Sequence, residues 1–344
     1  MIRKRKKWTM FFYLLLLPFF AVSIKDMKTC KANSVYVEGK AECVMELNSR
    51  RILYESNGEK KLPMASTTKI VTAITVLRLC ADLKNEIVIP MEAEGVEGSS
   101  VYLKAGDKYT VEELLYGLML RSGNDCAVAL ALYCCGSIEA FSLEMNKTAQ
   151  KAGALQSNFK NPHGLPCNGH YTTARDLTLI TCYAMQNSVF SEIVKTQYFS
   201  ARNWKNKNKL LYNYEGAIGV KTGYTKEAGR CLVSAVRRNG MMLICTLLNC
   251  STTYERTKAL FDDAFTAYSY YPILKEGNLL FVDGEKGVVK KDFYYPLLED
   301  EKEYIEITTT PNFKENKKKN QEILGQFQIY LSKHLLFSGN LYKL

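Results

Sequence analysis

Pro63-Met64-Ala65-Ser66-Thr67-Thr68-Lys69 is the stretch from which the rest of the chain is read. It contains an S-x-x-K pattern, Ser66 with Lys69. On a helix, positions i and i+3 share a face one turn apart, which brings the ammonium near the hydroxyl. A serine is a poor nucleophile at its own pKa and needs a neighbouring base. A lysine can be that base once desolvation and nearby positive charge lower its pKa. The pattern predicts a helix from about Ser66, and backbone N–H groups at a helix start favour developing negative charge. Taken alone the motif is weak. Ser66 by itself reads as a helix N-cap, and Ser157-Asn158-Phe159-Lys160 matches the same pattern.

Two further motifs give it meaning. Ser122-Gly123-Asn124 follows the apolar run Leu114 to Leu120 and opens another, which places it in a tight turn between helices. A hydroxyl there can relay a proton, and an amide can hold a peptide. Lys221-Thr222-Gly223 ends a strand, where glycine lets a ligand backbone come close. A lysine and a hydroxyl together suit a substrate carboxylate. Each motif alone has a bland reading: Ser338-Gly339-Asn340 repeats the second, and an exposed lysine at a strand end explains the third. In the order S-x-x-K, S-x-N, K-T-G only one combination works. That ordered set belongs to penicillin-binding proteins and class A β-lactamases.

The neighbouring segments carry the resemblance further. Ser100 to Asp107 precedes the S-x-N helix. Asn161-Pro162-His163-Gly164-Leu165 and His170 to Leu177 lie between the second and third motifs. Gly219 to Thr225 and Ala228 to Leu232 surround K-T-G. On these residues the chain resembles the low-molecular-mass penicillin-binding proteins of the D-alanyl-D-alanine carboxypeptidase type, peptidase family S11. The resemblance covers roughly residues 35–270, and more loosely the C-terminal part through Leu324-Gly325-Gln326-Phe327.

The resemblance implies an acyl-enzyme on Ser66, with Lys69 as general base. Ser122 would pass a proton to the leaving D-alanine. Asn124 would hold the substrate peptide, and Lys221 and Thr222 its terminal carboxylate, with Gly223 lining the same strand end. The oxyanion hole would use the backbone N–H groups of Ser66 and Tyr224. Losing one such donor typically costs about 2.7–4 kcal/mol of transition-state stabilisation. The implied partners are peptidoglycan stem peptides ending in D-Ala-D-Ala, and β-lactams as covalent inhibitors. Many members end in an amphipathic membrane-binding helix. Here Leu344 follows directly on the last β-type run, so membrane attachment through the C-terminus is not expected.

Periodicity predicts an α+β fold. Residues 41–55 read as a hairpin around Asn48-Ser49. Thr110-Val111-Glu112-Glu113 is a capping box opening a second helix. A third runs from Ser137 to about Gly153, and a fourth starts near Thr173. Strands return at Ala217 to Thr222, then at Cys231 to Arg237 and Met241 to Leu248 around the hairpin signal Asn239-Gly240. A helix follows over about Thr253 to Ser269. Strands, helices, strands, helix describe a β-lactamase/transpeptidase-like antiparallel sheet flanked by helices with a helical insertion. After about Leu274, short β-type runs (Leu279–Val282, Gly287–Lys291, Tyr304–Thr308, Phe327–Leu331) predict a small C-terminal all-β domain. The expected division is a signal peptide at 1–23, a catalytic domain at 30–274 and a β domain at 275–344.

The N-terminus has the grammar of a secretory signal: basic Arg3 to Lys7, apolar Trp8 to Val22, then small-x-small Ala21-Val22-Ser23. An uncleaved anchor helix is the alternative reading. Either way the body is exported, to the cell wall or the outer face of the membrane. The chain of 344 residues carries a net charge of +11. Removing residues 1–23 leaves 41 basic against 35 acidic residues, a net +6. That suits peripheral association with an anionic wall or membrane surface. The basic residues are scattered, with one tight run at Lys317–Lys319, so nucleic-acid binding is not indicated.

Eleven cysteines are many for an exported chain, and their spacing is not that of a disulfide scaffold. Cys80, Cys126, Cys231 and Cys245 read as small buried hydrophobes, and a source in a reducing habitat would account for the rest. His163, Cys167 and His170 match no usual zinc pattern, and no metal or cofactor is expected. Three rivals remain at this stage. A serine β-lactamase would need a glutamate for deacylation, and no suitable E-x-x-x-N segment lies between Asn124 and Lys221. A DD-endopeptidase would use the same chemistry with a longer leaving group. A non-catalytic wall-binding protein is disfavoured by three intact motifs.

Overall fold

The computed structural model describes residues 38–311 and 323–344. The signal-peptide expectation for residues 1–23, the first residues of the expected catalytic domain and the Lys317–Lys319 run lie outside the described residues.

The chain opens with the predicted hairpin, β1 (Ala41–Glu46) against β2 (Ile52–Ser56). The Glu46 carboxylate holds its turn by accepting from the Asn48 and Ser49 backbones and from the Ser49 hydroxyl. A tight 3-10 turn, Ala65–Thr68, then leads into α1 (Lys69–Leu79). A short pair, β3 (Glu86–Val88) with β4 (Lys108–Thr110), precedes α2 (Val111–Tyr116). A π-helical turn, Gly117–Arg121, carries the chain to α3 (Asn124–Cys135) and α4 (Ile138–Ala152). Helices α5 (Ala174–Met185) and α6 (Ser188–Lys195) follow. The small pair β5 (Tyr198–Phe199) with β6 (Trp204–Lys205) and the single turn α7 (Leu210–Asn213) come next. Strands β7 (Ala217–Thr225), β8 (Gly229–Arg238) and β9 (Met241–Leu248), then α8 (Thr253–Ala267), complete this part.

The five strands form one antiparallel sheet in the order β2-β1-β9-β8-β7. Side chains alternate across a strand, so a strand buried on both faces feeds two cores. Strand β9 does this residue by residue. Met242, Ile244 and Leu248 join the large core with α1, α3 and α5, while Met241, Leu243, Cys245 and Leu247 pack against Leu260, Phe261 and Ala264 of α8. Helices therefore cover both faces of the sheet. Helix α3 is apolar nearly all round and lies in the middle of the large core, as such a helix must. The capping box at Thr110 and Glu113 is present, and Ser137 and Thr173 cap α4 and α5.

Two expectations need correcting. The helix does not begin at Ser66. Thr67 and Thr68 donate their hydroxyls to the Met64 and Ala65 carbonyls, and Ala65 sits at φ 51°, so the chain makes a 3-10 turn before the α-helix starts at Lys69. The expected strand at Gly287–Lys291 lies earlier, at β12 (Glu285–Val288), after β11 (Leu279–Val282).

The C-terminal region contains strands the pattern did not single out. Before β11, β10 (Ser269–Leu274) leaves α8 and pairs with β13 (Phe293–Leu297). Then β14 (Ile305–Pro311), β15 (Ile323–Leu331) and β16 (His334–Lys343) complete a second sheet in the order β11-β12-β16-β15-β14. It has a small core of its own, including Val282, Phe327, Ile329 and Leu341. Arg51, beside the β1–β2 turn, ties the two regions. It donates to the Pro296 carbonyl at 2.6 Å and to both oxygens of Glu301, and its guanidinium lies over the Tyr268 and Tyr295 rings.

One ion pair is buried between sheet and helix. Glu42 of β1 accepts from Arg256 of α8 at 2.6 Å, both nearly inaccessible, and Tyr54 accepts a further guanidinium N–H at 2.8 Å. Removing one partner of such a pair leaves an uncompensated buried charge. Arg256→Ala is expected to cost about 3–5 kcal/mol of stability, read as a lowered denaturant midpoint. Replacing both partners by apolar residues should recover most of it, and a single-variant loss below about 1 kcal/mol would contradict this account.

Candidate active site

The three motifs converge. Ser66, Ser122, Thr222, Gly223 and Tyr224 line one cleft of about 390 Å³, together with Lys207 and Arg230. Each arrives on a different element. Ser66 stands in the 3-10 turn ahead of α1. Ser122 sits at the end of the π-helical turn, in the left-handed region at φ 66°, and Asn124 opens α3. Lys221 to Tyr224 lie on β7, one of the two edge strands of the sheet.

Lys69 is fully buried, and its Nζ has three neighbours. They are the Ser66 hydroxyl at 3.0 Å, Asn124 Oδ1 at 2.6 Å and the His163 carbonyl at 2.7 Å. A neutral amine has two N–H groups and one lone pair. The two carbonyl oxygens can only accept, so they take both N–H groups and leave the lone pair facing the Ser66 O–H. The environment favours that neutral form. Burial holds the Lys69 pKa well below the usual lysine range, and the Lys221 charge adds to the effect. Lys221 is itself buried, and desolvation brings it down to about 7, with Lys207 contributing.

The strand is pressed against the serine turn. A methyl group on Gly223 would meet the Met64 carbonyl at 3.0 Å and the Thr67 nitrogen at 3.1 Å. Glycine suits this position because a Cβ would make β7 or the turn give by a few tenths of an ångström. Gly164 has the same role on the other side, at φ 89°, where a Cβ would fall 2.0 Å from the Ala65 carbonyl oxygen.

Several supporting residues were not foreseen. His170 Nδ1 accepts from the Lys160 backbone at 3.0 Å, and its Nε2 lies 3.0 Å from the Thr68 hydroxyl. Thr68 donates its own proton to Ala65, so the neutral ring donates from Nε2 and steadies the Ser66 turn. Burial lowers His170 to about 4, consistent with that neutral form. Both ring nitrogens are thus committed to the protein. Asp125 is buried beside Asn124. It accepts from the Ser100 hydroxyl and from the Val101 and Leu103 backbones, fixing the loop that covers the S-x-N turn. The carboxylate directly after S-x-N was its only sequence signal. Lys207 had none, since it is one of several lysines in a polar stretch. The stray motif copies are structural: Ser157 donates to Asp176, and Ser338 to Asn340 lie within β16.

Residues 27–252 match the profile of peptidase family S11, D-alanyl-D-alanine carboxypeptidase. The chain belongs to that family. It is 30% identical over 322 residues to the D-alanyl-D-alanine carboxypeptidase DacF of Bacillus subtilis, spanning 89% of this chain and 79% of that protein. It is 40% identical over 219 residues to the D-alanyl-D-alanine carboxypeptidase of Streptomyces sp. strain K15, spanning 57% of this chain and 75% of the relative. The crystal structure of the Streptomyces K15 DD-transpeptidase superposes with a TM-score of 0.63 at 34% identity, covering 67% of this chain and 98% of that one. Penicillin-binding protein 5 from Haemophilus influenzae superposes with a TM-score of 0.74 over 91% of this chain and 98% of its own. At 24% identity that likeness speaks to the fold, including the C-terminal β region. Family members act on peptidoglycan, which places this one outside the cytoplasm.

The closeness of β7 to the serine turn is directly testable. Gly223→Ala should lower the rate of covalent labelling by a fluorescent penicillin by up to about 10-fold, because the added methyl makes the strand or the serine turn give by a few tenths of an ångström beside the reacting centre. The melting temperature should move little. Wild-type labelling by this variant would show that the contact is not constraining.

Proposed function

We propose that the chain is a serine-type D-alanyl-D-alanine carboxypeptidase that removes the terminal D-alanine from peptidoglycan pentapeptides through an acyl-enzyme on Ser66. The observation that carries this reading is the buried Lys69 amine, its Nζ 3.0 Å from the Ser66 hydroxyl at the cleft.

In the proposed reaction, Lys69 takes the Ser66 proton as Oγ attacks the carbonyl of the penultimate D-alanine. The backbone N–H groups of Ser66 and Tyr224 receive the developing oxyanion. The C–N bond then breaks, and the leaving nitrogen is protonated through Ser122. D-Alanine then leaves as the free amino acid, and water hydrolyses the Ser66 ester, releasing the shortened peptide and restoring the hydroxyl. Asn124 Oδ1 holds Lys69 while its Nδ2 donates to the Glu97 carbonyl at 2.5 Å, and in the proposal this amide exchanges that bond for one to the substrate peptide. Lys221 and Thr222 receive the terminal carboxylate, with Gly223 leaving room for it. A β-lactam reproduces the dipeptide geometry, and its ring-opened product has no small leaving group to depart, so the adduct persists.

Residues 30–274 carry this chemistry in the proposal, and residues 275–344 form a separate β unit. Residues 1–23 direct export. The residual basic charge supports peripheral association with the wall or the outer membrane face.

The deciding experiment incubates a peptide ending in D-Ala-D-Ala with residues 24–344 and with the Ser66→Ala variant, followed by mass spectrometry. Loss of one alanine by the wild type, reduced at least about 10³-fold in the variant, is the expected result. An intact peptide in both would move the reading to a cross-link-cutting endopeptidase, with dimeric muropeptides as the next substrate.

The pH profile follows from the two lysines. The base must be neutral, so acylation falls on the acid side as Lys69 gains a proton. The carboxylate receptor must be charged, so capture of an anionic ligand falls as pH rises through about 7 in the free enzyme. Penicillin should show both limbs in second-order acylation rate. Its methyl ester, lacking the carboxylate, should keep the acid limb and lose the alkaline one. Identical alkaline limbs would remove Lys221 from the carboxylate role.

A further inference from the structure

Helices α1 and α3 run side by side with their first residues at the cleft. There Lys69 donates to Asn124 at 2.6 Å. At the far ends of the same helices, Cys80 Sγ and Cys134 Sγ lie 3.3 Å apart. Cys80 is the C-terminal cap of α1, and Cys134 is in the last turn of α3. Both are partly exposed, so a small oxidant reaches them. Cys126, Cys231 and Cys245 are buried, as the sequence suggested, and Cys43, Cys182 and Cys250 are buried with them; Cys80, also read as a buried hydrophobe, is only partly buried because it caps α1 at the edge of the core.

We propose that Cys80 and Cys134 are joined by a disulfide in the exported protein, a covalent tie at the end of the helix pair opposite Lys69 and Asn124. A disulfide needs its sulfurs about 2.05 Å apart, so closure asks for a movement on the order of 1 Å, within reach of side-chain rotation. Cys135 is one residue further along α3 and therefore points about 100° round the helix axis, away from this position. The extracytoplasmic setting implied by the family is the compartment in which such a bond forms and persists.

The step balances as a thiol–disulfide exchange. The Cys80 thiolate attacks one sulfur of an external disulfide, either a low-molecular-mass one or that of an oxidoreductase, and expels the first thiol. The Cys134 sulfur then attacks Cys80 in the mixed disulfide and expels the second. The two protein thiols lose two electrons and two protons, and the external disulfide becomes two thiols. The two thiols share one hydrogen bond in which either sulfur can donate, so the contact favours one thiolate of the pair and the roles of Cys80 and Cys134 can be exchanged. The bond would close a long loop, since 54 positions separate the two cysteines. Its contribution to stability grows with that length.

The test is peptide mapping of the full exported chain, alkylated without reduction. Expected is one linked species joining the Cys80 peptide to the Cys134–Cys135 peptide, with fragmentation placing the bond on Cys134 and reductant separating the two. Reduction should lower the melting temperature by roughly 5–10 °C. Cys80→Ser and Cys134→Ser should each abolish the linked species and the shift, with penicillin labelling retained as the check of folding. The mapping of the unvaried chain stands whether or not the variants fold. Alkylation of both thiols in the unreduced protein, even after incubation with oxidised glutathione, overturns the proposal, as does a bond from Cys80 to Cys135.

Discussion

The desolvated Lys69 amine is the constraint on which the rest of the site depends. A lysine in water is an ammonium and has no lone pair to offer. Burial in the large core, at the start of α1, withdraws the hydration that stabilises the charge. Burial alone would leave unpaired N–H groups, which is costly. The Asn124 side chain and the His163 carbonyl take them, so the S-x-N turn and the Asn161–Leu165 segment are bound to the same nitrogen. The first two motifs and the Asn161–Leu165 segment are thus parts of one hydrogen-bonded unit, and the third, on β7, joins it by close packing of Gly223 against the serine turn.

The sheet supplies rigidity from behind. Strand β9 is buried on both faces and shares its side chains between two cores, so β7 and β8 cannot shift without disturbing both. Close approach at Gly223 and Gly164 then transmits that rigidity to the Ser66 turn. Pre-organisation of this kind matters because the nucleophile and the oxyanion donors must hold their places while the substrate changes shape. His170 and Asp125 extend the same logic to the Thr68 turn and the Ser100 loop, the first as a neutral ring and the second as a carboxylate whose pull on Lys69 is outweighed by desolvation.

Much of this was legible in the chain because the determinants are local. The capping box at Thr110, the Asn239-Gly240 turn and the alternation in β9 announce themselves within a few residues. The three motifs identified the cleft because their order excluded the stray matches. What escaped was set by tertiary contact. The 3-10 turn at Ser66 depends on hydroxyls bonding back to Met64 and Ala65. Strands β10, β13 and β16 are mixed in character and were recognisable only by their partners. Lys207 is an ordinary residue until the fold brings it to the cleft, and His170, marked in the sequence only as part of a family segment, shows its role only beside Thr68. The Cys80–Cys134 contact joins two helix ends more than fifty positions apart, beyond the reach of any spacing rule.

The order of causes on Lys69 also explains how the site tolerates its substrate. Lys221 helps keep Lys69 neutral, yet in the proposed reaction Lys221 is the group that meets a carboxylate. An arriving anion offsets the Lys221 charge and so weakens the repulsion that Lys69 feels. Had repulsion been the main cause, binding would raise the base's pKa and disarm it at the moment of use. Desolvation is the larger cause, and it comes from the protein core around α1, which a bound peptide leaves in place. A base tuned by burial keeps its lone pair when an anionic substrate binds, whereas a base tuned by charge would surrender it.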